Sequence, residues 1–150
     1  MDGKDLEILR VLQRDGRAPN AVVAEQVHLS ESACSRRLRE LERSGVIAGY
    51  TATIDPARIG LGLTVFLTVT LKSQSETALA EFESAAAKVD EVMECYLMTG
   101  EADYLMRIVV PDVQAFEALH AQRLTRLPGV ARITSSVALR RAVSRPGLPI

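Results

Sequence analysis

The chain has 150 residues and a formal net charge of −1, from 18 Lys+Arg against 19 Asp+Glu. Apolar residues make up 47% and charged residues 25%, which excludes disordered, collagen-like and disulfide-scaffold chains and fits one ordinary soluble domain or two small ones. No stretch approaches about 18 uninterrupted apolar residues, so neither a membrane span nor a membrane partner is expected. The opening Met1-Asp2-Gly3-Lys4-Asp5 carries acids and leads into no apolar signal core, which predicts a cytoplasmic protein. Cys34 and Cys95 lie far apart, each inside an apolar pattern, and are expected to be buried free thiols, neither a disulfide nor metal ligands. The near-zero charge is unlike that of a strongly basic nucleic-acid binder.

The first sixty residues predict three short helices. From Asp2 to Arg14, Leu6, Leu9 and Leu12 recur at helical spacing, widened by Ile8 and Val11. Acids open this helix and Arg10 and Arg14 close it, the order its dipole favours. After Gly16 and Pro19, Asn20 is the expected cap of a second helix, Ala21 to Val27, burying Val23, Ala24 and Val27. Ser30 is the expected cap of a third helix from Glu31 to about Ser44, ended by Gly45. Val46 to Ile54 then reads as a short β-like linker. The glycines of Ile59-Gly60-Leu61-Gly62-Leu63 suggest a hinge. We therefore expect an N-terminal domain at 1–60, a second domain at 61–142 and a loosely ordered tail at 143–150 containing Pro146 and Pro149.

The second domain alternates between strand and helix periods. Leu63 to Lys72 is a β-branched strand, Glu76 to Lys88 a helix, Val92 to Thr99 and Tyr104 to Val110 a hairpin around Gly100-Glu101-Ala102-Asp103. A helix follows Pro111-Asp112, and Val130 to Leu139 is the last strand. The order β-α-β-β-α-β predicts an α+β chain: a helix-turn-helix domain with a β-linker, then a ferredoxin-like sheet with split βαβ topology.

In the third helix Cys34, Leu38 and Leu41 share the core face, which leaves Ser32, Ser35, Arg36 and Arg39 on the other side, flanked by Arg37 and Arg43. A Ser30-capped helix start offers free N–H groups to a phosphate, arginine can fork onto guanine, and serine can serve a base or a phosphate. An ordinary solvated face is the competing reading, and Glu31, Glu40 and Glu42 favour it; the trihelical context favours double-stranded DNA. Residues 1–50 carry eight basic and eight acidic side chains, so one such module makes few phosphate contacts, and useful affinity would require an oligomer. The strands supply a reason to assemble. Val65, Leu67 and Val69 alternate with Phe66, Thr68 and Thr70, and the second strand sets Met93, Cys95 and Leu97 against Val92, Tyr96 and Met98. With both faces apolar, the face not covered by helices is expected to pack on another copy.

The hairpin turn and the run Thr134-Ser135-Ser136 bring an acid, a glycine and hydroxyls among apolar strands, a set suited to the amine and carboxylate of a small zwitterion. Ordinary turn chemistry explains the same Gly and Asp and is the stronger reading of the turn on composition alone. Enzyme constellations are nearly absent: His28 and His120 lack neighbours at metal-ligand spacing, there is no P-loop and no GxSxG, and Gly60-Leu61-Gly62 precedes a strand and lacks a third glycine.

These residues resemble the Lrp/AsnC family of prokaryotic transcription regulators over nearly the whole chain. The likeness runs through Asp5-Leu6-Glu7-Ile8-Leu9, Leu12-Gln13-Arg14-Asp15-Gly16-Arg17, Leu29-Ser30, Cys34, Arg37-Leu38-Arg39, Leu41-Glu42 and Gly45-Val46-Ile47-Ala48-Gly49-Tyr50-Thr51-Ala52. It resumes in Glu94-Cys95-Tyr96-Leu97-Met98-Thr99-Gly100-Glu101-Ala102-Asp103-Tyr104-Leu105, Val110-Pro111-Asp112 and Leu127-Pro128-Gly129-Val130, and is strongest to the leucine-responsive branch. The resemblance implies a winged or β-linked helix-turn-helix that binds DNA. It implies a C-terminal RAM domain (regulation of amino acid metabolism) that dimerises and binds an amino-acid effector, leucine being the one this branch suggests, with dimers joining into tetramers or octamers. Family effector sites use the hairpin turn, here Gly100 to Tyr104, and hydroxyl positions on the last strand, where many members carry two threonines and this chain places Ile133 and Ser135. Proline often follows the serine cap in the leucine-responsive branch; here it is Glu31.

The expected function is therefore that of a sequence-specific, amino-acid-responsive regulator without catalytic residues, metal or cofactor. Ser30, Ser32, Ser35, Arg36, Arg37 and Arg39 are the expected DNA contacts, Arg37 through phosphate. Gly100, Asp103, Tyr104, Thr134, Ser135 and Ser136 are the expected effector contacts. The competing reading is a ferredoxin-like metabolite-binding or enzymatic subunit with a helical protein-interaction domain.

Overall fold

The computed structural model describes residues 1–145 and 147–150; Pro146, part of the expected tail, lies outside the described residues. Two compact units are present, Met1–Thr53 with Ala142–Ile150 and Ile54–Arg141.

In the first unit, helix α1 (Gly3–Arg14) begins with a reciprocal cap: the Asp2 carboxylate accepts from the Asp5 N–H at 3.1 Å and the Asp5 carboxylate from the Asp2 N–H at 2.7 Å. Helix α2 (Asn20–Gln26) follows Pro19, which occupies the cap position without a side-chain bond. Asn20, the expected cap, is instead the first helical residue, and its amide donates to Ser35 Oγ at 3.2 Å. Helix α3 (Glu31–Arg43) starts at Ser30, whose Oγ accepts from the Ala33 N–H at 3.3 Å. Ile8, Val23, Ala24, Val27, Cys34, Leu38 and Leu41 close a small core between the three helices. The turn between α2 and α3 passes through His28 at φ 54°, a left-handed conformation unusual for a residue with a Cβ.

The β-like linker expected over Val46 to Ile54 is not a strand. A strand needs a partner ladder, and this segment joins none; its bonds are local, the Ile47 N–H donating to the Leu41 carbonyl at 3.0 Å and the Tyr50 hydroxyl to Glu42 at 3.0 Å. The end of the chain is seated on α1, where Arg10 donates to the Ile150 carbonyl at 2.8 Å and the Leu148 N–H to the Gln13 side chain.

The second unit opens with a 3-10 turn at Pro56–Ile59, closed by Gly60 at φ 82°. Strand β1 (Leu63–Leu71), helix α4 (Glu76–Ala86), strands β2 (Val92–Leu97) and β3 (Tyr104–Val110), helix α5 (Val113–Gln122) and strand β4 (Val130–Val137) follow in the expected order. The antiparallel sheet has the strand order β2-β3-β1-β4. Its alternation decides the faces. Val65, Leu67, Val69, Tyr104, Met106 and Ile108 point toward Phe82 and Ala86 of α4 and Leu119 of α5. Burying a side chain such as Phe82, wholly inaccessible here, contributes about 1.5–3 kcal/mol.

On β2 the expected faces need correction. A register shift between Val92 and Glu94 puts Val92 beside Cys95 on the helix-covered side, both packed against the core, while Glu94 and Tyr96 pair with Arg107 and Leu105 on the other. Cys34 is buried as expected; Cys95 is only partly so.

Candidate nucleic-acid interface and effector region

Angular position on α3 sorts its side chains. At about 100° per residue, Arg36, Arg39 and Ser32 lie roughly opposite the Cys34–Leu38–Leu41 stripe, while Ser35 and Arg37 sit on its two flanks. Ser32, Arg36 and Arg39 are exposed, as is Ser30 at the helix start. Arg36 extends without an ion-pair partner among the described residues, and Arg39 makes a single bond, from Nε to the Ser35 carbonyl at 3.3 Å. Arg43, by contrast, is held by Glu40 at 2.7 Å, an exposed i,i+3 pair. Ser35 and Arg39 line an open groove of about 520 Å³ with Arg17, Asn20 and Tyr50. Such an arrangement presents two guanidinium groups with no carboxylate partner among the described residues, and hydroxyls, on one ridge with polar groups beside it, as base and phosphate recognition requires.

Arg37 behaves differently. Its Nη1 donates to both Asp2 and Asp5 of α1 at 2.8 Å, and only about a quarter of its side chain is exposed. The pairing raises the guanidinium's proton affinity, through Asp5 first and then Asp2. The Asp2 carboxyl is held below the usual range, first by the Asp5 N–H and then by Arg37. Sequence periodicity had no means of seeing this contact, because it joins residues 32 and 35 positions apart.

In the second unit the six expected effector residues fall into three settings. Gly100 sits in the hairpin turn at φ 122°, a conformation that glycine alone adopts freely. Asp103 is buried, and its two oxygens accept from the Leu71 N–H and the Gln74 side-chain amide, both at 2.7 Å. Its own N–H donates to the Val69 carbonyl at 2.9 Å, and its carbonyl accepts from Met98 N–H at 2.8 Å. The acid thus ties the hairpin to the end of β1. Tyr104 is 1% exposed, its ring 4.5 Å from Phe82 and its hydroxyl donating to Glu83 at 2.8 Å.

The three hydroxyl residues of β4 do not share a face. Thr134 and Ser136 pair with Thr68 and Phe66 on the open side of the sheet, and Ser135 pairs with Leu67 on the helix side. There Ser135 borders a shallow groove of about 330 Å³ beside Phe116 and His120, whose rings are 5.9 Å apart. The open side also carries Phe66 and Tyr96, 38% and 54% exposed, and a Glu94–Arg107 pair at 2.8 Å. Among the described residues no three His, Cys, Asp or Glu side chains are placed to hold a metal ion. No helix among them is long and apolar enough to cross a membrane.

A capped helix with two outward arginines, neither held by a carboxylate among the described residues, in a trihelical unit followed by a βαββαβ unit, defines a two-domain DNA-binding regulator. Residues 1–48 match the family model described as "Winged helix-turn-helix DNA-binding", and residues 64–148 the one described as "Lrp/AsnC ligand binding domain". The chain is 41% identical over 150 residues to the Bkd operon transcriptional regulator of Pseudomonas aeruginosa, covering 100% of this chain and 98% of that one. It is 41% identical over 133 residues to the leucine-responsive regulatory protein of Escherichia coli K12, covering 85% and 81%. A solved transcriptional regulator from Neisseria meningitidis in complex with L-Met superposes with a TM-score of 0.94 at 36% identity, over 99% of this chain and 96% of that one. The chain belongs to the Lrp/AsnC family, as a transcriptional regulator with a helix-turn-helix DNA-binding domain and a ligand-binding domain.

Proposed function

We propose that this regulator binds double-stranded DNA through Ser30, Ser32, Ser35, Arg36 and Arg39, and that an amino acid bound to its second domain changes that binding. The observation that carries the DNA reading is the pair Arg36 and Arg39: exposed, on one face of a capped helix, and free of carboxylate partners among the described residues. The L-Met complex of the Neisseria relative and the leucine-responsive relatives support an amino-acid effector, leucine or methionine first among those to test. Gly100 and Ser135, which borders the groove beside Phe116 and His120, are the proposed contacts to it, with Asp103 and Tyr104 holding the hairpin in place; Thr134 and Ser136, on the opposite face of β4, belong to the open side of the sheet.

Self-assembly is part of the proposal. A domain whose residues 1–50 carry no net charge gains too little from counterion release to bind tightly alone, so dimers joining into tetramers or octamers supply the affinity. The open sheet face with Phe66 and Tyr96 is the surface for the dimer. The protein acts in the cytoplasm and catalyses no reaction. Thermal-shift screening of the twenty amino acids, with the best hit carried into a DNA-binding titration, tests the sensor. A stabilising hit that alters DNA affinity supports the reading, and a flat screen removes the effector while leaving DNA binding to its own test.

A further inference from the structure

The first turn of α1 makes two separate attachments to the helix-turn-helix. Lys4 Nζ donates to the Val27 carbonyl at 2.7 Å, just before the left-handed His28, and is held from the other side by Glu7 at 2.8 Å. Asp5, with only 12% of its side chain exposed, and Asp2 take both bonds from the Arg37 guanidinium. The two attachments fall on the turn that launches α3 and on the flank of α3 itself. The Asp2–Asp5 reciprocal cap makes both acids part of the rigid start of α1.

We propose that Arg37 is a positioning residue that sets the rotation of α3 through Asp2 and Asp5, and that it does not contact DNA phosphate. A guanidinium shared between two carboxylates has its charge satisfied within the protein, and forming a phosphate contact would require breaking both bonds. Its place on α3, roughly 60° from the buried stripe, turns it toward α1, whereas Arg36 and Arg39 face away from the core. The inference rests on the DNA-binding reading, and makes a different demand on it: one arginine of the recognition helix must leave the electrostatics of binding unchanged.

The test uses full-length protein and a duplex selected by the wild-type chain from a random-sequence library, with a scrambled duplex as reference. Affinity is measured against salt for wild type, Arg37→Lys, Arg37→Gln and Asp5→Asn, with folded fraction checked by circular dichroism. Arg37→Lys keeps a charge for a phosphate, but its side chain is one bond too short to bring the ammonium to the place where Arg37 Nη1 meets both carboxylates. We expect it to lose about tenfold in affinity for the selected duplex, with affinity for the scrambled duplex and the salt slope unchanged. Asp5→Asn, although it removes a negative charge near DNA, is expected to weaken selected binding in the same way. Arg37→Gln combined with Asp5→Asn should cost no more than the worse single variant.

A phosphate-contacting Arg37 gives opposite results. Arg37→Lys then binds like wild type, Arg37→Gln loses about 0.9 from the slope of log affinity against log salt, and Asp5→Asn binds more tightly. Any of these overturns the inference. If Arg37→Gln fails to fold, Arg37→Lys and Asp5→Asn carry the comparison. Failure of the wild-type protein to select or bind any duplex in a salt-dependent manner refutes the DNA-binding reading instead, so the two failures are distinct.

Discussion

Removing the Asp103 carboxylate should damage the second unit far more than a surface acid would. In Asp103→Ala the buried Leu71 N–H loses its acceptor, at a cost of about 1–3 kcal/mol, and the Gln74 bond is lost with it. A total near 2–3 kcal/mol in a unit of this size corresponds to a fall in Tm of roughly 10–20 °C. Asp103→Asn keeps one oxygen for the Leu71 N–H and should lose only about a third of that. Differential scanning calorimetry of the three proteins gives the comparison directly. An alanine variant within about 2 °C of wild type would refute the assignment of this acid to the tie between hairpin and β1, as would an asparagine variant no better than alanine. The same experiment bears on the effector region. Any loss of ligand binding in Asp103→Ala must be scored against the destabilised hairpin before a direct contact is inferred.

Three further outcomes follow from the local geometry. His28→Gly should stabilise the first unit by about 1 kcal/mol, because glycine adopts the left-handed turn conformation without the Cβ penalty; a lower Tm would show that the imidazole makes a contact that outweighs it. Ser30→Ala should cost about 1 kcal/mol by removing the acceptor for the Ala33 N–H, read from urea unfolding, and a neutral result would show that the cap contributes nothing. The third concerns alkaline pH. Burial, and then the Glu83 charge, push the Cys95 thiol up to about 11 from an ordinary value of 9.0. Burial and the Glu83 hydrogen bond also raise Tyr104 above its ordinary 10.0. Both groups are held protonated by the fold, so their stabilisation is complete below pH 9 and is lost as pH rises through the range up to about 11 and beyond. Wild-type Tm should therefore fall more steeply over that range than that of Cys95→Ala; parallel curves would exclude this thiol as a contributor.

Wherever a local signal coincides with its structural cause, the sequence is a sufficient guide. Ser30 is both the visible cap and the actual one, so the start of α3 at Glu31 is legible. β-Branched alternation and flanking turn residues similarly place β3 at Tyr104–Val110. The misreadings arise where the cause is a neighbour distant in the chain or absent. Val46 to Ile54 has β-forming residues but no ladder to join. Asn20 can cap a helix, but Ser35 engages it instead. One extra residue near Met93 puts Val92 and Glu94 on opposite faces, where strict alternation would put them on the same one.

The candidate sites divide in the same way. Arg36 and Arg39 were legible because a surface position on an amphipathic helix follows from its spacing to Cys34, Leu38 and Leu41. Arg37 was not, because its role depends on Asp2 and Asp5 reaching across from α1. Thr134, Ser135 and Ser136 look like one cluster in the chain, but the pleat separates Ser135 from the other two. Asp103 and Tyr104 read as turn and strand residues with polar groups to offer. In the fold those groups are already bonded to Leu71, Gln74 and Glu83.

In the proposed mode of action, DNA is read by one exposed face of α3. Fluorescence-anisotropy titration of the selected duplex over a range of salt concentrations, with wild type, Arg36→Ala and Arg39→Ala, tests it most directly. Each substitution is expected to cost about 1–3 kcal/mol with the selected duplex. Unchanged affinity and unchanged salt slope in both variants would contradict it.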